Sequence, residues 1–136
     1  MHFVAVHCRA DVVFVLDASW SIYAKNFEKV KTFLWRFVGK LDIDSGSTRV
    51  GLLTYSDDVD SSTDLNANRS LADVQSAIWS LGYSGGNTNT ASALEHVRTT
   101  MLTSSAGARR DVPNVVVVLT NGKSTNTTAT EVRAVI

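Results

Sequence analysis

Asp11-Val12-Val13-Phe14-Val15-Leu16-Asp17-Ala18-Ser19-Trp20-Ser21 decides how the rest of the chain is read. Residues 12–16 are an unbroken apolar run, the pattern of a strand buried on both faces of a parallel sheet. One carboxylate and two hydroxyls then follow at alternate positions, Asp17, Ser19 and Ser21, where a strand gives way to a loop. Hard oxygens of this kind suit Mg²⁺, Mn²⁺ or Ca²⁺ rather than a soft metal.

Outward from this stretch, apolar positions Val30, Phe33, Leu34, Phe37, Val38 and Leu41 recur at three- and four-residue spacing. They predict a helix with Lys25, Lys29, Arg36 and Lys40 on its polar face and Gly39 near its end. Residues 49–56 read as a second strand. Asp57-Asp58 then turns into a polar strand over 59–65, suited to an antiparallel edge. Residues 70–81 predict a helix capped by Ser70, with Leu71, Val74, Ile78 and Leu81 inward. The loop Tyr83-Ser84-Gly85-Gly86-Asn87-Thr88 leads into another helix bearing Ala91, Leu94, Val97, Met101 and Leu102. Arg109, Arg110 and Asp111 read as a solvated loop before an apolar strand over 115–119, which ends in Thr120-Asn121-Gly122. A further helix is expected after Ser124.

Strands alternating with helices imply a layered α/β domain. Ligands bind such sheets outside the carboxyl ends of the strands, near the reversal of strand order. Asp17 and Asn121 both fall at such ends, and Thr88 lies in a loop able to join them.

Bulk composition narrows the function. The chain has 136 residues, 44% of them hydrophobic, enough for one cored domain. Thirteen basic and thirteen acidic residues cancel, arguing against nucleic acid or an anionic membrane as the main partner. No apolar stretch approaches a membrane span, and residues 1–10 lack the features of a signal peptide. Cys8 is the single cysteine, either a buried thiol or half of a disulfide with a partner outside this sequence. Asn68-Arg69-Ser70 and Asn126-Thr127-Thr128 are sequons, making Asn68 and Asn126 candidate glycosylation sites compatible with secretion.

Three segments in order resemble the von Willebrand factor A-type domain: Asp17-Ala18-Ser19-Trp20-Ser21, Gly85-Gly86-Asn87-Thr88-Asn89-Thr90 and Leu119-Thr120-Asn121-Gly122-Lys123-Ser124. The resemblance covers residues 11–136, with residues 1–10 an N-terminal extension. It implies a three-layer, doubly wound, mostly parallel sheet with one antiparallel edge strand. The implied strand order is 3-2-1-4-5-6, of which the sequence supplies the first four strands, so the fold is expected to be incomplete at the C-terminus and residues 115–119 to form an apolar edge open to pairing.

The resemblance also implies a metal-ion-dependent adhesion site. Ser19, Ser21 and Thr88 would offer hydroxyls, and Asp17 a carboxylate directly or through water. At position 121 the family has Asp; Asn121 keeps a carbonyl oxygen and loses a charge. Trp20, Gly86 and Asn87 would lie at the partner-binding rim, with Trp20 either an exposed contact or packed over the first helix. The implied function is cation-bridged binding to an acidic group of a matrix protein such as collagen, or of another adhesion protein, with secretion into the extracellular matrix. Cys8 would lack the C-terminal cysteine with which extracellular relatives often pair it.

Rival readings are weaker. An aspartate after a buried strand could be a phosphoryl-transfer nucleophile, but Ser19 stands where that chemistry wants a second carboxylate. The Gly85-Gly86 loop has no P-loop lysine, and no Ser/His/Asp grouping stands out. Asp57 and Asp58 read as a hairpin turn rather than ligands, and His96 has no paired His or Cys for zinc. A metal-independent structural module of the matrix is the principal alternative.

Overall fold

A computed structural model describes residues 9–121. Cys8, Asn126 and the helix expected after Ser124 lie outside the described residues. The four strands are β1 (Ala10–Asp17), β2 (Thr48–Tyr55), β3 (Val59–Thr63) and β4 (Asn114–Leu119). They form one sheet in the order β3-β2-β1-β4. β1 runs parallel to both β2 and β4, while β3 is the antiparallel edge, so the strand order expected from the resemblance holds across all four.

Alternation along β1 divides the core in two. Val12, Phe14 and Leu16 face α1 (Ala24–Val38) and α2 (Leu71–Trp79). Val13 and Val15 face the opposite layer, with Leu53, Tyr55 and Leu65 and with Ala93, Val97 and Met101 from the chain after the middle loop. That chain forms α3 (Thr90–His96) and continues as a π turn over Val97–Met101. The result is a three-layer α/β/α domain. Each large aliphatic side chain fully buried in it contributes about 1.5–3 kcal/mol.

Ser70 caps α2 by accepting from the Asp73 amide at 3.1 Å. The apolar arc of α1 is turned from its expected direction. The buried residues are Phe27, Lys31, Leu34 and Val38, whereas Phe33 and Phe37 are exposed. At 100° per residue this is a rotation of roughly 60°. The cause is Lys31: its ammonium donates to the carbonyls of Trp79 at 3.0 Å and Leu81 at 2.8 Å. It also lies 5.9 Å from the centre of the Phe27 ring and 5.8 Å from that of Trp79. The end of α2 thus draws a charged residue inward, and Phe37 is left to meet Phe14 edge-on from the flank of the helix.

The 109–111 segment also departs from expectation. Asp111 is exposed and pairs with Arg9, but Arg109 is pinned down. Its backbone N–H and guanidinium both donate to the Asp11 carboxylate, which is fully buried. The guanidinium also donates to the carbonyls of Ala10, Gly46 and Ser47. A carboxylate buried at the first residue after the strand's entry needs such a partner, and Arg109 satisfies it from the chain leading into β4.

Among the described residues β4 is an edge, half-exposed along both faces. No helix among them is long and apolar enough to cross a membrane.

Candidate metal and partner site

Register fixes where the site lies. Asp17 pairs with Tyr55 and Leu16 with Leu119, so the loops after β1, β2 and β4 leave the sheet at one level. β1 is flanked by β2 on one side and β4 on the other, with α1 on one face of the sheet and α3 on the opposite face. This is the switch point at which α/β sheets bind ligands.

Asp17 builds the first loop. Its buried carboxylate accepts from the Ser19 amide at 2.9 Å and from the Thr120 hydroxyl at 2.8 Å. The first bond folds the chain into an Asx-type turn; the second ties β1 to the end of β4. That turn aims Ser19 and Ser21 to the same side, with their hydroxyl oxygens 2.8 Å apart.

Thr88 arrives from the other side of the sheet. The loop between α2 and α3 is laid across the first loop by backbone bonds from Gly85 N–H to the Ala18 carbonyl (2.8 Å) and from Trp20 N–H to the Gly86 carbonyl (2.9 Å). Close approach of the two loops explains the paired glycines. A β-carbon on Gly85 would stand 2.9 Å from the Trp20 indole, and one on Gly86 2.9 Å from the Asp57 carboxylate; both residues also have positive φ. The Thr88 hydroxyl then donates to Ser19 Oγ at 2.7 Å and lies 3.3 Å from Ser21 Oγ.

Three hydroxyl oxygens therefore form a triangle with edges of 2.7, 2.8 and 3.3 Å. Adjacent oxygens in an octahedron with Mg–O distances of 2.0–2.1 Å are separated by about 2.8–3.0 Å. Around Ca²⁺, with bonds near 2.4 Å, the separation would be about 3.4 Å. Two edges of the triangle are close to those of a magnesium-sized octahedron, and the third, at 3.3 Å, is close to the calcium separation. Asp17 anchors the triangle, one carboxylate oxygen bonded to the Ser19 amide and the other to the Thr120 hydroxyl. Asn121 is exposed, and its amide nitrogen donates to the Ser21 carbonyl at 3.2 Å. Among the described residues no group of three or more His, Cys, Asp or Glu could hold a metal.

All five expected metal-site residues thus come together, and the three rim residues border them. Trp20 is 65% exposed and meets Tyr83 edge-on rather than packing over α1. Gly86 and Asn87 lie on the loop just ahead of Thr88. Asn68 is half-buried ahead of α2, and the hydroxyl of its sequon, Ser70, is the α2 cap.

Sequence reading missed the supports beneath the site. Asp57 accepts from the Asn87 amide at 3.0 Å, and Asp60 accepts from Ser84 at 2.6 Å. The hairpin after β2 is therefore a cradle for the Thr88 loop. The only available signal was the position of Asp57 at the carboxyl end of a strand next to β1. Tyr83 donates to the Ser19 carbonyl at 3.1 Å and packs 5.8 Å from Phe27 of α1, coupling helix and loop. Below them, burial raises the Tyr55 phenol above its usual range; a bond to Thr90 opposes this, and the Asp17 charge adds to it.

A mostly parallel α/β/α domain that gathers three hydroxyls and an aspartate at its strand ends has the architecture of a recognisable class of domains. Residues 11–136 match the family profile of the von Willebrand factor type A domain, and the chain belongs to that family. It is 42% identical over 119 residues to the collagen alpha-4(VI) chain of Mus musculus, covering 86% of this chain and 5% of that protein. Identity to the human collagen alpha-1(XX) chain is 40% over 124 residues, 91% of this chain and 10% of the relative. The chain therefore spans at most a tenth of these two relatives. Among solved structures, proximal thread matrix protein 1 from the mussel byssus, with a zinc-occupied MIDAS motif, superposes with a TM-score of 0.76 at 28% identity. That match covers 88% of this chain and 30% of the other.

Proposed function

We propose that this domain is a non-enzymatic adhesion module that binds an acidic group on an extracellular-matrix partner, such as a collagen or another adhesion protein, through a divalent cation. The observation that carries this reading is the hydroxyl triangle of Ser19, Ser21 and Thr88 beside the Asp17 carboxylate. The collagen relatives and the zinc-occupied motif of the byssal protein support it. Mg²⁺ is the proposed ion, with Mn²⁺ or Ca²⁺ as alternatives.

A bound cation would supply a positive centre that a partner carboxylate can ligate. The chain's own groups do the rest. Neutral hydroxyls hold the ion without cancelling its charge, Asp17 fixes the loop, and Asn121 adds no charge where the family carries Asp. A bound ion would therefore keep more of its attraction for an acidic partner. Trp20, Gly86 and Asn87 form the rim the partner meets. The sequons at Asn68 and Asn126 are consistent with secretion, and Cys8 would be available for a bridge.

Asn121 also favours one second reading, a matrix assembly module that works without metal because that corner carries no charge. Calorimetric titration with Mg²⁺, followed by collagen binding with and without EDTA, separates the two. Saturable Mg²⁺ heat and EDTA-sensitive binding are expected. Binding that ignores EDTA would favour the metal-independent module.

A further inference from the structure

We propose that Asp57 is a positioning residue of the hydroxyl site. It seats Thr88 and lends an ion, from the β2–β3 turn, negative charge that Asn121 does not supply from the β4 side. This rests on the cation-bridge reading and adds to it a residue outside the donor set.

Thr88 is the one corner of the triangle brought from a separate loop, so its placement depends on what holds that loop. Both of its neighbours are bonded to the turn after β2. Asn87 N–H donates to Asp57 Oδ1 at 3.0 Å. On the other side, Asn89 N–H donates to the Ser56 carbonyl at 2.8 Å, and the Asn89 side-chain amide donates to the Asp57 carbonyl at 3.2 Å. The other carboxylate oxygen of Asp57 lies against Gly86, where a β-carbon would stand 2.9 Å from it. The neighbouring carboxylates are committed elsewhere, Asp58 to Ser92 of α3 and Asp60 to Ser84 and Ser56. Asp57 is thus the hairpin carboxylate bonded next to Thr88. Groups that hold a metal ligand in place in this way set its geometry, and losing one typically lowers metal affinity roughly 10–100-fold.

Placement also brings charge. Given the bond to Asn87, standard bond lengths hold Asp57 Oδ1 within about 10 Å of the Thr88 hydroxyl. That is about one Debye length at 0.1 M salt, so an ion on the triangle would feel this carboxylate at low ionic strength and hardly at all at high. β2 and β4 flank β1 on opposite sides, so this charge would reach the ion from across the site from Asn121. Acting through space from the loop backbone, it would raise ion affinity while leaving open coordination positions to a partner.

The test is calorimetric Mg²⁺ titration at about 0.01 M and about 1 M salt, where the Debye length is about 30 Å and about 3 Å. Asp57→Asn keeps an oxygen to accept from Asn87 and removes the charge. It should weaken binding about fivefold at low salt and leave it unchanged at high salt. Asp57→Ala removes the bond as well and should weaken binding by at least about tenfold at both. Asp111→Asn, which removes an exposed charge ahead of β4, should change neither. Asp57 is exposed, so thermal melts of both its variants should stay near the parent's. Parent-like affinity in either Asp57 variant at low salt, or an Asp57→Asn loss that ignores salt, overturns the proposal. If the parent chain gives no Mg²⁺ heat, the cation reading fails by itself. Amide hydrogen exchange in EDTA then decides for Asp57: faster exchange at Asn87 and Asn89 in Asp57→Ala keeps its hold on Thr88, and unchanged exchange removes it.

Discussion

Asn121 donates from its amide nitrogen to the Ser21 carbonyl, so it braces the hydroxyl loop from the β4 side. Replacing it with aspartate restores a negative charge beside the triangle. At an effective dielectric near 20 one charge at close range is worth a few kcal/mol before desolvation, so Asn121→Asp should tighten Mg²⁺ binding by about tenfold or more. Calorimetry on the two chains would show this, and equal affinities would refute it. Ser21→Ala removes one corner of the triangle instead. It should weaken Mg²⁺ binding by at least about tenfold while moving the Tm little, because a half-exposed hydroxyl contributes only about 0.5–1.5 kcal/mol to folding.

At the scale of elements, Lys31 determines how α1 sits. Lys31→Met keeps the stem and removes the donors, leaving the Trp79 and Leu81 carbonyls without their ammonium partner. The expected loss is about 1–3 kcal/mol in urea denaturation. Tyr55 gives the β2–α3 contact a pH dependence. Its pKa is raised in the fold, chiefly by burial, so the unfolded chain ionises first as pH rises. The stability it contributes is complete below the ordinary tyrosine range and declines from about pH 10 upward. Tyr55→Phe should flatten that alkaline decline in thermal melts.

What could be read in the sequence follows from how local each interaction is. Asp17, Ser19 and Ser21 lie within five residues, and their strand-end context follows from the apolar run before them, so the site's centre was legible. Thr88 and Asn121 needed the ordered motifs as well as their strand and loop context. The roles of Asp57 and Tyr83 depend on contacts 30 and 64 residues away, and those of Lys31 on contacts 48 and 50 residues away. No periodicity encodes them. Phe33 and Phe37 misled because helical spacing identifies an apolar arc without saying which part of it a neighbouring helix end will claim.

Across the whole molecule, the Asp11–Arg109 pair closes the sheet at the end opposite the candidate site. It joins the entry of β1, the turn before β2 and the chain into β4, spanning 98 residues of sequence. Arg109→Ala would strand a fully buried carboxylate and should cost about 3–5 kcal/mol, a large part of a typical domain's stability. Arg109→Lys should recover little, since one ammonium cannot reproduce the guanidinium's fan of bonds. Denaturant midpoints for both variants check this, and Mg²⁺ affinity under native conditions should stay near that of the parent chain.

The hydroxyl triangle is already closed upon itself by its own hydrogen bonds, with Thr88 donating to Ser19 and Ser21 bridging the pair. Loading with an ion would then exchange hydrogen bonds for coordination at nearly fixed oxygen positions, without a loop swinging in. Capture should be governed by how fast the ion sheds its water, and Mg²⁺ does so reluctantly. The loading rate should therefore follow the identity of the cation and be nearly indifferent to solvent viscosity, as stopped-flow mixing would reveal.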